Sequence, residues 1–319
     1  MRDKKDAPGL HPRVAAFTLH LGGERRLSEH TVAAYTRDVE QLAAFLERRF
    51  QIDSWKEVGK VELRAWLAEL SRENGSSTIG RKLASLRAFF KFFGRGDRTF
   101  DNPAEQLATP RVKRPMALVL NMEAAAEVVE SPDEAARVSA AQRVRDRLLL
   151  ELLYGSGLRL SELAGLDLEA VDARAGMLRV LGKGKKERLV PMSGACRRAY
   201  AEYLGQRPAL CHPQSGLQDA HAVLLGRYGA RLGRRQIQKL VQKYGALGAG
   251  RADMHPHALR HMCATHMLEG GADLRVIQEF LGHKSLSTTQ RYTHLSVEQL
   301  LGVYDKSHPL AVRKRAAKT

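Results

Sequence analysis

Residues 144–163 read Val-Arg-Asp-Arg-Leu-Leu-Leu-Glu-Leu-Leu-Tyr-Gly-Ser-Gly-Leu-Arg-Leu-Ser-Glu-Leu. The apolar pattern from Val144 to Tyr154 predicts a buried helix that ends at the Gly155-Ser-Gly157 turn. A second helix is predicted from Leu160 to Leu166. Arg159 then lies at the N-terminus of that helix, a position that favours a nearby anion.

The chain on the C-terminal side of this stretch is predicted to be mixed but mostly helical. Residues 177–191 indicate two short strands around a glycine–lysine turn, and helical patterns resume from about Ser193 to the end. Capping boxes at Ser287 and Ser296 predict two short helices near the C-terminus.

The chain on the N-terminal side is predicted to be helical throughout. Ser28 is expected to cap a first amphipathic helix, and Ser77 a third. The second has an apolar stripe that includes Val61 and ends at Asn74-Gly75. The third helix also carries basic side chains, which either contact DNA phosphates or form a solvated face: Arg81, Lys82, Arg87 and Lys91.

Composition narrows the classes of partner. The 319 residues carry a formal charge of +17 with 44% hydrophobic residues, which excludes a disordered polycation and predicts a polyanionic partner, with nucleic acid ahead of a membrane surface. A proline-marked basic segment near residues 102–115 divides it into two domains. We expect a cytoplasmic protein, because no signal peptide or membrane span is evident and the three cysteines are scattered.

Several kinds of site lack their sequence signature. The sequence has no phosphate-binding P-loop and no dinucleotide-binding glycine pattern. His257 and His261 are four residues apart, but the glutamate of a metalloprotease motif is missing. No aspartate cluster offers the ligands of a two-metal nuclease. The economical prediction is chemistry without a metal or other cofactor.

An ordered set of cations, histidines and one tyrosine remains. It consists of six positions: Arg159, Lys183, His257, Arg260, His283 and Tyr292. Their flanks include Leu-Arg159-Leu-Ser-Glu-Leu, Gly-Lys183-Gly-Lys-Lys-Glu-Arg, Pro-His257-Ala-Leu-Arg260-His and Leu-Gly-His283. In this order the set resembles the tyrosine recombinase (phage integrase) family. Within it, residues 144–163 and the ending Val303-Tyr-Asp-Lys-Ser-His-Pro resemble the XerC branch of the Xer recombinases more than the XerD branch.

The resemblance implies a mainly α fold, shaped as a two-domain C-shaped clamp. Residues 10–110 would form a helical, SAM-like core-binding domain and residues 111–118 a linker. Residues 119–310 would form a mostly helical catalytic domain with a small antiparallel β-sheet, and residues 311–319 a basic tail. The implied activity is site-specific cutting and rejoining of double-stranded DNA at a dif-type site, which resolves chromosome dimers. The implied partners are a XerD-like recombinase in a synaptic tetramer and an FtsK-type translocase.

The resemblance also implies a role for each of the six residues. Tyr292 would be the nucleophile that forms a 3′-phosphotyrosyl link, and Arg159 and Arg260 would clamp the phosphate oxygens. The other three roles are the general acid for the 5′-oxygen, the acceptor of the tyrosine proton and a further donor to the phosphate, assigned to Lys183, His257 and His283 respectively.

Some assignments keep alternatives. Lys185 and Lys186 are on the same hairpin as Lys183 and are alternative candidates for its role. Glu162, three residues after Arg159, is either a partner that orients an active-site cation or an ordinary surface pair. His261 and His266 are read as structural. Two other functions remain open: a mobile-element integrase, and an architectural DNA-binding protein that has lost catalysis.

Overall fold

The chain divides into two units, Met1–Pro115 and Met116–Thr319, each with its own hydrophobic core. The structure is a computed structural model that describes residues 10–97, 99–110, 120–182 and 187–281. The predicted class, mainly α with a small antiparallel sheet, is confirmed. The predicted linker 111–118, the tail 311–319 and the helices predicted after Ser287 and Ser296 lie outside the described residues.

The first unit is helical around an aromatic core. The rings of Trp55 and Phe89 are 4.4 Å apart between centroids, and Phe17 meets Phe89 edge-on at 5.3 Å. Such tilted and edge-on contacts suit the quadrupoles of aromatic rings. The α-helices of its described part are α1 (Leu10–Gly22), α2 (Glu29–Phe50), α3 (Lys60–Ser71) and α4 (Ser76–Phe93).

The helix starts of this unit match the sequence expectations unevenly. Ser28 caps α2, since its hydroxyl accepts the backbone N–H of Thr31 at 3.3 Å, as predicted. The prediction that Ser77 is a cap is wrong, because Gly75 holds the extended N-cap position and α4 already begins at Ser76. Val61 was expected to face the core but is 68% exposed, and Leu63 is buried instead.

Only part of the basic surface that was expected on α4 is exposed to solvent. Lys82 is buried and donates to Asp38 at 3.0 Å, and Arg81 contacts the same carboxylate. Arg87 donates to the backbone carbonyls of Ala104 and Leu107. These three cations therefore hold the unit together, and the expectation that they form an outer basic surface is wrong for Lys82.

The core of the second unit contains a buried segment that begins in an α-helix and continues into a π-helical turn. Residues Leu148–Leu150 and Leu152–Tyr154 are fully buried, and the chain continues from the helix Ala140–Leu150 through a π-helical turn at Glu151–Gly155. This confirms the predicted buried helix and its end at the glycine turn. Its described α-helices are α5 (Met122–Glu130), α6 (Ala140–Leu150), α7 (Leu160–Ala164), α8 (Gly194–Gln206), α9 (Arg234–Ala249), α10 (Pro256–Glu269) and α11 (Leu274–Leu281).

A three-stranded antiparallel sheet in the order β1-β2-β3 lies between α7 and α8 in the sequence. Its strands are β1 (Val171–Asp172), β2 (Met177–Leu181) and β3 (Glu187–Pro191). The last two are the predicted hairpin strands, and they pair from Met177 opposite Pro191 to Leu181 opposite Glu187. The prediction missed β1, whose two residues are too few to show an alternating pattern.

The prediction of helix from Ser193 onward holds for α8 but fails between the 3₁₀ turn Arg207–Ala209 and Gly233. Residues 222–225 are a buried apolar run that is not helical, with isolated β-bridges from Asp167 to Ala222 and from Leu225 to Arg231. A short apolar run reads alike as buried helix or buried strand, which is why periodicity gave the wrong result.

Candidate active site

Arg159 begins α7 in the extended conformation of an N-cap. Its backbone N–H donates to Glu162 Oε2 at 2.8 Å, and its guanidinium Nη1 donates to Glu162 Oε1 at 2.8 Å. The side chain of Glu162 is 1% exposed, whereas that of Arg159 is 35% exposed. Glu162 is therefore the buried partner that orients Arg159, not a surface pair, and part of the Arg159 side chain remains open to solvent.

Arg260 is fixed by the turn that precedes α7. Its two terminal nitrogens donate to the backbone carbonyls of Gly157 and Leu281, and the residue is only 4% exposed. Burial, with the nearby charge of Arg159, lowers the pKa of Arg260 to about 10. A charge that is buried at such a cost stabilises a bound anion strongly, because little water competes for it.

Gly157 makes this arrangement possible. Its φ is +59°, a conformation that side chains rarely adopt. A β-carbon at this position would lie 2.9 Å from a methyl group of Leu281 and 3.1 Å from the ring of Phe280. The turn is thus shaped for close packing beneath the carbonyl that Arg260 contacts.

His257 occupies the first turn of α10, three residues before Arg260. His255 caps this helix, accepting the N–H of Ala258 on Nδ1 at 3.0 Å. Burial lowers the pKa of His257 below its usual value, and the charge of Arg260 acts in the same direction. The ring is therefore neutral at pH 7, so it is able to accept a proton while two arginines stand close by.

One cleft of about 530 Å³ brings these residues together. Arg159 and Leu158 line it from the turn, and His257 and Arg260 from α10. α9 contributes Arg234 and Gln238, and further lining residues are Leu160, Ser161, His255 and Pro256. Two guanidiniums beside a neutral imidazole form a site suited to a phosphate group that loses or gains a proton nearby.

The structure places three of the six predicted residues in this cleft and leaves the other three untested. Lys183, with its alternatives Lys185 and Lys186, lies outside the described residues, as do His283 and Tyr292. The sequence interpretation missed Arg188, whose guanidinium reaches Glu162 from β3 with Nη2–Oε2 at 3.0 Å. The sequence signal for Arg188 was the alternation of side chains along the predicted hairpin strands. Arg188 lies opposite the buried Val180, and both side chains lie on the same face of the sheet.

His266 has the structural role that was expected of it. The residue is 1% exposed, its Nδ1 lies 2.8 Å from the hydroxyl of Tyr154, and its Nε2 lies 2.8 Å from the carbonyl oxygen of Leu120. These two contacts connect α10 to the π-helical turn and to Leu120, where the described part of the second unit begins. Among the residues that the structure describes, no helix has the length and apolarity to cross a membrane.

Comparison with known proteins gives consistent matches over nearly the whole chain. A model of the phage integrase family matches residues 122–299, and a model of the phage integrase N-terminal SAM-like domain matches residues 14–95. The tyrosine recombinase XerC of Pelobacter propionicus is 44% identical over 95% of this chain and 97% of its own length. That of Pseudomonas syringae pv. syringae is 39% identical over 97% of this chain and 99% of its own.

Solved structures share the fold at low sequence identity. The XerH recombinase bound to palindromic difH substrate has a TM-score of 0.63 at 19% identity, covering 95% of this chain and 84% of that one. The lambda integrase tetramer bound to a Holliday junction has a TM-score of 0.65 at 14% identity, covering 91% and 81%.

Proposed function

The chain belongs to the phage integrase family of site-specific tyrosine recombinases, and from this premise we propose that it resolves chromosome dimers at a dif-type site during segregation and cell division. The observation that carries the chemistry is the cleft in which Arg159, His257 and Arg260 meet. We assign residues 10–110 as the core-binding domain and 119–310 as the catalytic domain, joined by the linker 111–118 and followed by the basic tail 311–319.

The phosphate of one DNA strand would occupy this cleft. Arg159 and Arg260 would hold its non-bridging oxygens, because a planar guanidinium matches that geometry better than an ammonium group. Both charges oppose the negative charge that grows on the phosphorus centre during attack, and losing one such donor typically slows a reaction about 10²- to 10³-fold. His283 would add a further hydrogen bond to the same phosphate.

The tyrosine supplies the covalent step. The hydroxyl of Tyr292 would attack phosphorus, forming a 3′-phosphotyrosyl bond while the bond from phosphorus to the 5′-oxygen breaks. His257 would accept the proton of Tyr292, and Lys183 would donate a proton to the departing 5′-oxygen. Attack by a 5′-hydroxyl of another strand then reverses these transfers. The phosphodiester energy is conserved, so the scheme needs neither ATP nor a metal ion.

The proposed substrate also defines the partners and the place of action. Solved neighbours bound to a difH substrate and to a Holliday junction support binding to duplex DNA in a multimeric assembly. We assign a XerD-like recombinase as the second member of a synaptic tetramer, with an FtsK-type translocase as activator. Chromosomal DNA as substrate implies that the protein acts in the cytoplasm.

A nicked DNA substrate tests this proposal directly. Cleavage next to a nick releases a short strand, so the covalent protein–DNA intermediate accumulates and is seen as a shifted band on a denaturing gel. The wild-type protein is expected to form this adduct in the presence of a chelator, and the Tyr292→Phe variant to bind the site without forming it. Tyr228→Phe is the matched control, because Tyr228 is an exposed tyrosine of the same unit, away from the cleft.

The outcomes separate the alternatives. Binding without any adduct would favour an architectural DNA-binding protein. An adduct that persists in Tyr292→Phe would show that another residue is the nucleophile, and loss of cleavage with chelator would indicate a metal nuclease. Cleavage of mobile-element ends in preference to dif-type sites would favour an integrase.

A further inference from the structure

Glu162 is shared by two arginines from different elements. Arg159 donates to it from the start of α7, as described above. Arg188 donates both terminal nitrogens from β3, with Nη2 3.0 Å from Oε2 and Nη1 on Oε1. Each carboxylate oxygen therefore accepts two hydrogen bonds, one of them from β3, although the group is almost completely buried.

This sharing affects how firmly Arg159 is held at the cleft. A carboxylate bound by Arg159 alone would be free to turn with that side chain, whereas the two hydrogen bonds from β3 fix it from a second direction. Because a donor that is already in place needs no rearrangement as negative charge develops, a fixed Arg159 guanidinium favours the transition state.

We propose that Arg188 is a positioning residue for the strand-transfer reaction: its two-point contact holds the Glu162 carboxylate in place and, through it, orients the Arg159 guanidinium in the cleft. The inference rests on the proposed function and deepens it. Arg188 lies outside the set of cleft-lining residues, so it acts through Glu162 and Arg159.

Strand β3 itself does not depend on this contact. It pairs with β2 along its whole length, from Glu187 to Pro191, and Val190 anchors it in the hydrophobic core. Arg188 is 16% exposed at its side chain and projects to Glu162 from this paired strand. Replacing it should therefore leave the strand in place.

The pH dependence of cleavage distinguishes a positioning role of Arg188 from a general structural role. Burial by itself raises the pKa of Glu162, but the hydrogen bonds from Arg188 and Arg159 outweigh burial and hold that pKa below its usual value. Without Arg188, fewer hydrogen bonds oppose the effect of burial, so the pKa of Glu162 rises. The carboxyl then takes up a proton as the pH falls, and it loses its hold on Arg159.

Other charged groups face the same region from the neighbouring elements. Arg260 approaches from α10 and Arg234 lines the cleft from α9, which packs on α7. His257 titrates too, but its effect is common to all variants. A difference in pH profile between variants therefore reports on Glu162.

The test is single-turnover cleavage of the nicked substrate by the full-length protein between pH 5.5 and 8.5. Arg188→Met is expected to cleave about 10- to 100-fold more slowly at pH 7.5, the range that losing hydrogen bonds to a charged group implies. The deficit should grow as the pH falls, while affinity for the DNA site stays within about threefold. Arg188→Lys, which keeps the charge without the planar fork, should recover part of the rate.

Two further variants make the result decisive. Adding Glu162→Gln to Arg188→Met should remove the extra acid dependence, since no carboxyl remains to be protonated. Arg179→Met is the matched control, because this exposed arginine on β2 lies opposite Leu189, and its guanidinium is directed to the backbone carbonyl of Glu169. It should cleave at the wild-type rate across the pH range.

Several outcomes would overturn the inference. One is cleavage by Arg188→Met at the wild-type rate, and another is a deficit that is constant with pH and unchanged in the Glu162→Gln background. A loss of thermal stability that accounts for the rate deficit in both Arg188→Met and Arg188→Lys would equally assign Arg188 a structural role only. Failure of the wild-type protein to form a Tyr292-dependent adduct is a separate result, and it would reject the proposed function together with this inference.

Discussion

The hydrogen-bonded chain from Tyr154 through His266 to Leu120 gives a stability prediction whose size follows from the geometry. A carbonyl oxygen only accepts, so His266 Nε2 carries the proton that it donates to Leu120. Its Nδ1 is then an acceptor, and the hydroxyl of Tyr154 donates to it at 2.8 Å. Tyr154→Phe removes that donor and leaves a buried acceptor without it.

The expected cost is the lost hydrogen bond together with the desolvated nitrogen, about 1–3 kcal/mol. The tyrosine ring is fully buried, so phenylalanine preserves its packing and no cavity forms. A cost of this size corresponds to about 5- to 150-fold in an opening equilibrium. The same change in a His266→Leu background should cost less, because donor and acceptor are then both absent.

Native-state hydrogen exchange is the suitable assay, since a chain with two units need not unfold in a single step. Amides of α10 in Tyr154→Phe should exchange about 5- to 150-fold faster, while those of α4 in the first unit should not change. Tyr228→Phe, at a tyrosine that is 52% exposed, should alter neither helix. Equal exchange in Tyr154→Phe and the wild-type protein, or equal acceleration of α4, would refute the reasoning.

Two further predictions concern single residues of the second unit. Gly157→Ala places a side chain at a φ of +59° and against Leu281, so the variant should lose about 1–3 kcal/mol in thermal unfolding and cleave more slowly; wild-type behaviour in both would contradict the packing argument. Of the three cysteines, only Cys211 should react with a maleimide in the native protein, because burial raises the pKa of the other two thiols; intact mass would reveal more than one adduct if this is wrong.

Local signals in the sequence predicted the elements that depend on neighbouring residues. The Ser28 cap, the buried run from Val144 to Tyr154 and the hairpin strands within residues 177–191 are all present in the structure. The order and flanks of six residues identified the recombinase family and its XerC-like member, which the comparisons confirm. The roles of those six residues stay predictions.

The sequence predictions are wrong where contacts between distant parts of the chain determine the structure. Lys82 looked like a surface cation, but it is buried where Asp38 from another helix compensates its charge. Residues 222–225 looked helical, but Ala222 forms a bridge with Asp167, which is 55 residues earlier in the chain. In both cases the partner is far away in sequence, so no local pattern contains it.

The sequence by itself determined the helical class and the family, and it predicted the residues that would carry the chemistry, because periodicity, caps and motif flanks are contained in short stretches. Only the tertiary structure decided that Glu162 is buried, that Arg188 reaches it from a strand, and that Arg260 is fixed between Gly157 and Leu281. These contacts join residues that are 21 to 103 positions apart. Their energies depend on burial and on charges gathered by the fold, and a linear pattern specifies neither.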